Sequence, residues 1–371
     1  MTGLDGVRAD VVVVGAGIVG LAHAFDAHTR GQSVVVVERD DRAVGASVRN
    51  FGHGCVTAQS GPALDYALRA RARWTQLGKD AGFTVREAGT LVLARHADEL
   101  AVLDEFAQIR GDDVVLLDAA ETSRRAPFAG PALGGAWFPL DLCIDARAAA
   151  GAIAAWLAAH GVRFHWNTAV GGIETGAVHT SRGTIGAGRT VVCVGHNVDR
   201  LFPDLAADHG VRRCALRMLR VRDPHELPID PAILTGHSLL RYSGFDECPS
   251  LPALRDRIAR EAPRAVEAGL NLMFTQRPDG SLTIGDTHDY ALTPAPFTDE
   301  RRDELVLAET ARLLGVARLD VLERWRGVYA SAPQPFLIAA PTAGVRVVSV
   351  TSGIGMTTAL GLAPTVLDDL L

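Results

Sequence analysis

Lysine is almost missing from this chain: Lys79 is the single lysine among 37 Lys and Arg side chains, so nearly all positive charge is guanidinium. Any role that needs a lysine ammonium has one candidate, and it falls on a predicted amphipathic helix where it should face solvent. Cysteine is sparse and scattered. The five thiols (Cys55, Cys143, Cys193, Cys214 and Cys248) form no CxxC pair. That excludes a disulfide framework and a thiolate zinc site, and it leads us to expect a reducing, cytoplasmic setting. No apolar run approaches the roughly 18 residues that a membrane-spanning helix needs. The run Val11-Val12-Val13-Val14 is too short for a signal-peptide core and ends in glycines, so no secretory signal is expected. A surplus of positive charge is absent as well. The net charge of −6 and pI near 6.1 argue against a nucleic-acid-binding surface.

What is present is ordinary globular composition at a length of 371 residues, 48% hydrophobic, which favours two domains over one. The organised signal sits at the front. Residues 10–14 read as a buried strand, 17–30 as a helix and 33–38 as a second buried strand. Strand, glycine turn, helix and strand within about 30 residues make a βαβ unit and imply a parallel sheet. Gly15-x-Gly17-x-x-Gly20 lies in the turn. Gly15 permits the tight bend, Gly17 lets backbone approach a pyrophosphate, and Gly20 lets helix and strand pack closely. The helix N-terminus, from Ile18, would face the phosphates. Glu38 ends the second strand eighteen residues after Gly20, where an acid can accept hydrogen bonds from ribose hydroxyls. The pattern alone does not separate one dinucleotide from another.

Further along, helices are predicted over 63–81, 98–110, 146–160, 251–268 and 299–314, with a last helix from about Met356 to the end. Strands are predicted over 89–95, 136–143, 162–166, 191–194 and 345–350, and mostly antiparallel ones through 211–293. Pro278-Asp279-Gly280 reads as a hairpin turn. Rossmann-like pieces and sheet-rich pieces alternate. The expected fold is therefore α/β: a discontinuous Rossmann-like domain (1–84, 145–205 and 335–371) carrying an inserted α+β substrate domain (85–144 and 206–334) on a mostly antiparallel sheet.

Four stretches decide the cofactor. The loop Gly45-Ala46-Ser47-Val48-Arg49-Asn50-Phe51-Gly52-His53-Gly54 follows the second strand where an NAD domain would continue into another βα unit. With Thr168-Ala169-Val170, Val194-Gly195-His196-Asn197 and Ser352-Gly353-Ile354-Gly355-Met356, it resembles the D-amino-acid oxidase superfamily of FAD enzymes, along nearly the whole chain and in the right order. The resemblance implies a flavin oxidoreductase with FAD held by Gly15, Gly17, Ile18, Gly20, Glu38, Arg39, Ser47, Arg49, Asn50, Gly52, Val170, Gly195, Gly353, Gly355, Met356 and Thr357. Trp325–Pro333 looks like the family strand that runs beside the flavin. Where sarcosine oxidases carry a flavin-tethering cysteine this chain has Gly327, which implies non-covalent FAD. Where glycine and sarcosine oxidases carry their carboxylate anchors it has Tyr329 and Thr357.

Those departures, together with Gly285-Asp286-Thr287-His288 and the Thr351–Thr358 stretch, look like a subgroup associated with phosphonate breakdown. The resemblance implies oxidation of a small, secondary amine bearing an anion, such as an N-alkyl aminoethylphosphonate. The product imine would hydrolyse to aldehyde and amine, with O₂ as electron acceptor. An amino-acid or 2-hydroxy-acid oxidase and a non-catalytic flavoprotein remain as alternatives. Flavin carries the hard chemistry, so no metal or protein nucleophile is needed. Candidates for base or polariser are His53, His288 and Tyr329, and His53 is also the expected cation for reaction with O₂. Candidates for anion binding are Arg241, Arg217 and Arg326, with the Thr357 hydroxyl. Neither nucleic acid nor membrane is expected as a partner.

Overall fold

The structure is a computed structural model and describes residues 3–371. The valine runs become the centre of a parallel sheet. Strand β1 (Arg8–Val14) pairs in parallel with β2 (Val34–Val37) on one side and with β3 (Gly183–Val192) on the other. Helix α1 (Ile18–Thr29) crosses between β1 and β2. Its close packing depends on Gly20, where a Cβ would overlap the Gly15 carbonyl oxygen. Helix α2 (Gly61–Ala81) ends on Gly82 in the left-handed conformation.

The middle of the chain supplies the antiparallel part. Strand β4 (Arg212–Val221) pairs with β5 (Leu282–Ala291) on one edge and with the 19-residue strand β6 (Val321–Ala339) on the other. Beyond Ser331, β6 changes partner and pairs with β7 (Val345–Ser352), which is itself parallel to β3. All these strands belong to one continuous 15-stranded sheet. The chain closes with helix α3 (Gly355–Leu370), packed on α1 and α2.

Two expected elements are each split in two. The strand expected over 136–143 is two strands, Gly134–Phe138 and Leu142–Ile144, with Pro139-Leu140-Asp141 between them. Proline cannot donate to a ladder, and the break places Asp141 inside the protein. The helix expected over 251–268 is Leu251–Glu261 followed by Pro263–Glu267, because Pro263 cannot continue the first helix. The loop through Gly45–Gly54 contains a short 3₁₀ turn and ends in the two-residue strand His53–Gly54.

Asp141 is fully buried and ties that loop down. One carboxylate oxygen accepts from the backbone N–H of Val56 at 2.9 Å and Thr57 at 2.8 Å. The other accepts from the Thr90 hydroxyl at 2.7 Å and lies 3.3 Å from His53 Nε2. Removing this acceptor strands several buried donors, and each costs about 1–3 kcal/mol. Asp141→Ala should therefore lower stability by about 3 kcal/mol or more, read as a lower midpoint in urea unfolding. An unchanged midpoint would show that the loop is anchored elsewhere.

Candidate active site

The glycine turn, the 43–51 loop, the segment after β3, strand β6 and the start of α3 surround one cavity of about 940 Å³. Its two regions are distinguished by the chemistry of their walls.

The first is backbone-rich. Gly15, Gly17, Ile18, Glu38, Arg39, Ser47, Arg49, Asn50, Val170 and Gly195 all line it. Gly15 has a φ of +104°, and a Cβ there would run into the Cys193 carbonyl. Glu38 Oε2 accepts from the Ala16 amide at 2.8 Å and Oε1 from the Asp40 amide at 3.1 Å. A carboxylate has about four lone-pair positions, so room remains for ribose hydroxyls. Ser47 Oγ accepts from the Ile18 amide at 2.8 Å, which pins the loop to the start of α1. Asn50 is taken up by the loop itself: Nδ2 donates to the carbonyls of Ala46 and Ser47, and Oδ1 accepts from the Gly52 amide at 2.8 Å. Gly20 and Gly52 shape this wall from behind and do not face the cavity.

The second region is made of side chains from β4, β5, β6 and the residues before β5. Leu216, Met218, Arg241, Tyr242, Asn271, Met273, Asp286, His288 and Tyr329 line it. Strand periodicity explains the selection. On β4, Leu216 and Met218 face the cavity while Arg217 between them faces the other way. On β5, Asp286 and His288 face it and Thr287 does not. Arg241 donates through Nη1 to Tyr290 Oη at 2.9 Å and through Nη2 to Tyr329 Oη. The Tyr329 ring lies against Gly353, whose φ of +78° begins the turn into α3, so the two regions meet there. Gly353, Gly355 and Met356 complete that border.

Burial sets the charge states. The Asp286 carboxyl is pushed up to about 7, chiefly by burial, with Arg241 and a hydrogen bond from Asn271 opposing it. His288 is pushed down to about 3, again chiefly by burial, so it is neutral at physiological pH. Its Nδ1 donates to the Gly269 carbonyl at 2.8 Å, which leaves the Nε2 lone pair 3.6 Å from Asp286 Oδ2. Burial also pushes the Tyr329 phenol well up, so it stays protonated.

Several expected site residues lie elsewhere. His53 does not line the cavity. Its strand pairs with Leu142–Ile144, and its Nε2 is engaged with Thr90 at 2.7 Å and with Asp141. It can serve neither as base nor as the cation for O₂. Arg217 forms a two-pronged ion pair with buried Asp303, at 2.8 and 2.6 Å. Arg326 turns outward on β6 and donates to the Ala295 carbonyl at 2.5 Å. Thr357 is buried in the packing of α3 and does not reach the cavity as either cofactor or substrate ligand. Lys79 is exposed on α2, as expected. Asp286 and Asn271 were not singled out by the sequence. Asp286 sits inside a motif that was noticed, but only the fold shows which of its side chains turns inward.

The sequence profile of the FAD dependent oxidoreductase family (DAO) matches residues 10–368. The chain belongs to that family. Its cofactor is FAD, and the glycine cradle, Glu38 and the backbone-rich cavity wall fit that group. Similar solved structures include glycine oxidase from Geobacillus kaustophilus, at 21% identity and TM-score 0.79 over 98% of this chain and 94% of that one. L-proline dehydrogenase from P. horikoshii matches at 18% identity and TM-score 0.77, over 98% and 93%. Iminodiacetate oxidase from Chelativorans sp. BNC1 matches at 18% identity and TM-score 0.75, over 96% and 94%. Identities this low carry the shared fold alone. A search of curated protein sequences gave no significant match.

Within this FAD dependent oxidoreductase, Glu38 lines the cavity beside the glycine turn, where an acid can accept from the adenosine ribose hydroxyls. A charge-assisted hydrogen bond contributes about 1.5–3 kcal/mol, so Glu38→Ala should weaken FAD about 10-fold or more. Apoprotein titrated with FAD and followed by flavin fluorescence measures this. Unchanged affinity would place the ribose contact on another residue.

Proposed function

We propose that this enzyme oxidises a small amine, preferably a secondary one, that carries an anionic group, with O₂ as electron acceptor and FAD held without a covalent bond. The observation that carries the reading is Arg241, a guanidinium enclosed in the same cavity as the FAD-binding glycines. The other cavity arginines, Arg39, Arg49 and Arg200, belong to the segments around Glu38, Ser47 and Gly195. Arg241 stays charged: burial opposes this, but its pKa is raised overall, the hydroxyls of Tyr290 and Tyr329 accept from its N–H groups and the Asp286 carboxyl lies near by. A buried cation of this kind needs an anion, and a substrate can bring one.

A phosphonate is the favoured anion. Arg241 offers five N–H donors, of which two serve the tyrosines, and the Tyr329 hydroxyl stands beside it. Three phosphonate oxygens can use such a donor group more fully than two carboxylate oxygens. Asp286 supplies the opposite charge for the substrate nitrogen. Bound FAD supplies a two-electron acceptor for the C–H bond next to that nitrogen. The protein's part is to hold the anion at Arg241 and set the carbon against the cofactor region at Gly353.

Gly327, which lines the cavity on β6, has no atom that could bond to flavin. Acid precipitation should therefore release all yellow colour into the supernatant, and flavin retained in the pellet would contradict non-covalent binding. In an anaerobic screen, N-methyl-aminoethylphosphonate should bleach the flavin faster than sarcosine, glycine or D-alanine. A clear win for sarcosine or a D-amino acid would remove the phosphonate reading. Bleaching only by 2-hydroxy acids would remove the amine reading.

A further inference from the structure

The substrate end of the cavity holds one carboxyl group, and its surroundings are unusual. Asp286 is buried on β5, 5% exposed, and faces the cavity. Its Oδ1 accepts from Asn271 Nδ2 at 3.2 Å. Its Oδ2 lies 3.6 Å from His288 Nε2. His288 Nδ1 donates to the Gly269 carbonyl, so Nε2 carries a lone pair rather than a hydrogen. Asn271 is itself oriented, because its Oδ1 accepts from the Ser238 hydroxyl at 2.8 Å. A carboxyl with an amide donor on one oxygen and an imidazole lone pair 3.6 Å from the other can exist with or without a proton on Oδ2. Asp141, by contrast, has both oxygens saturated by donors and no opening to the cavity.

An amine enters water-filled space near neutral pH as an ammonium ion, which cannot release hydride from the adjacent carbon. The proton must leave first. We propose that Asp286, with His288 behind it, is the proton acceptor for the substrate ammonium; this rests on the amine reading above. The N–H bond of the ammonium breaks and its electron pair stays on nitrogen. The proton forms an O–H bond at Asp286 Oδ2, and that O–H can then donate to His288 Nε2. Charge balances throughout: an ammonium–carboxylate pair becomes a neutral amine and a neutral carboxyl. His288 acts through Asp286 and is a positioning residue.

The groups facing Asp286 leave it as the one that titrates near neutrality. Arg241 from the preceding loop stays charged. Tyr242, Tyr290 and Cys214 are all pushed up by burial, as is Tyr329 on β6, and they stay protonated. His288 is neutral throughout the range. A raised carboxyl accepts a proton only above its own pKa. Anaerobic flavin reduction by a saturating amine should therefore slow as pH falls through about 7.

The test compares the FAD-loaded wild type with Asp286→Asn and His288→Gln. In Asp286→Asn, reduction at pH 7 should slow by about 100-fold, a usual size for a lost general base, and should approach the wild-type rate above the ammonium's own pKa. In His288→Gln the low-pH limb should move to lower pH, because the glutamine NH2 can donate to the ionised carboxyl where the imidazole Nε2 could only accept. Infrared spectra give a readout independent of any substrate. A protonated-carboxyl band should titrate near neutrality in the wild type and vanish in Asp286→Asn. A rate loss that persists at high pH, a limb unmoved in His288→Gln, or no such band would each overturn the assignment while leaving the amine reading intact. Failure of every amine to reduce the wild-type flavin would overturn the amine reading and this assignment with it.

Discussion

One strand belongs to both halves of the molecule. The first part of β6, Val321–Ser331, is hydrogen-bonded to β4; the last part, Phe336–Ala339, is hydrogen-bonded to β7 and through it to the parallel sheet. The shared ladder makes the two halves one sheet, and Gly327 and Tyr329 sit on the stretch that faces the cavity. The spacing between the glycine cradle and Tyr329, to which Arg241 donates, is thus set by backbone hydrogen bonds. Positioning of this kind is what a hydride transfer requires, since a small displacement of the reacting carbon costs much of the rate.

Two buried carboxylates show how environment divides structure from chemistry. Asp141 accepts from backbone amides, a hydroxyl and an imidazole, and fixes the loop that leads into α2. Asp286 receives one weak amide bond, lies near a nitrogen lone pair and opens to the cavity. The first is fully satisfied and the second keeps a proton position in play. The same contrast separates the arginines: Arg217 has its own carboxylate in Asp303, whereas Arg241 has only neutral hydroxyls and a carboxyl near its titration point.

The cofactor end was legible in the sequence because its determinants are local. Val11–Val14, the three glycines and Glu38 fall within thirty residues, and each needs only its neighbours to adopt its conformation. The substrate end was partly legible. Arg241, Tyr329 and His288, three of its sequence candidates, line the cavity, although nothing in the spacing around Arg241 foretold that its loop folds inward. Arg217 could have been set aside by parity, since Leu216-Arg217-Met218 alternates and its apolar face is the one turned to the cavity. The fate of His53 could not be read locally. It is decided by Asp141, 88 residues away, whose burial depends on a strand break at Pro139.

The central claim is that Arg241 binds the substrate's anion in the FAD cavity, and one comparison tests it. Dissociation constants from anaerobic reduction kinetics would be measured for wild type and Arg241→Met. The substrates would be the best anion-bearing amine and the same amine with the anion replaced by a methyl group. The account predicts that Arg241→Met weakens the anionic amine about 100-fold, the size of a lost charge-assisted contact, and leaves the uncharged analogue almost unaffected. Equal effects on both, or none on the anionic amine, would contradict it.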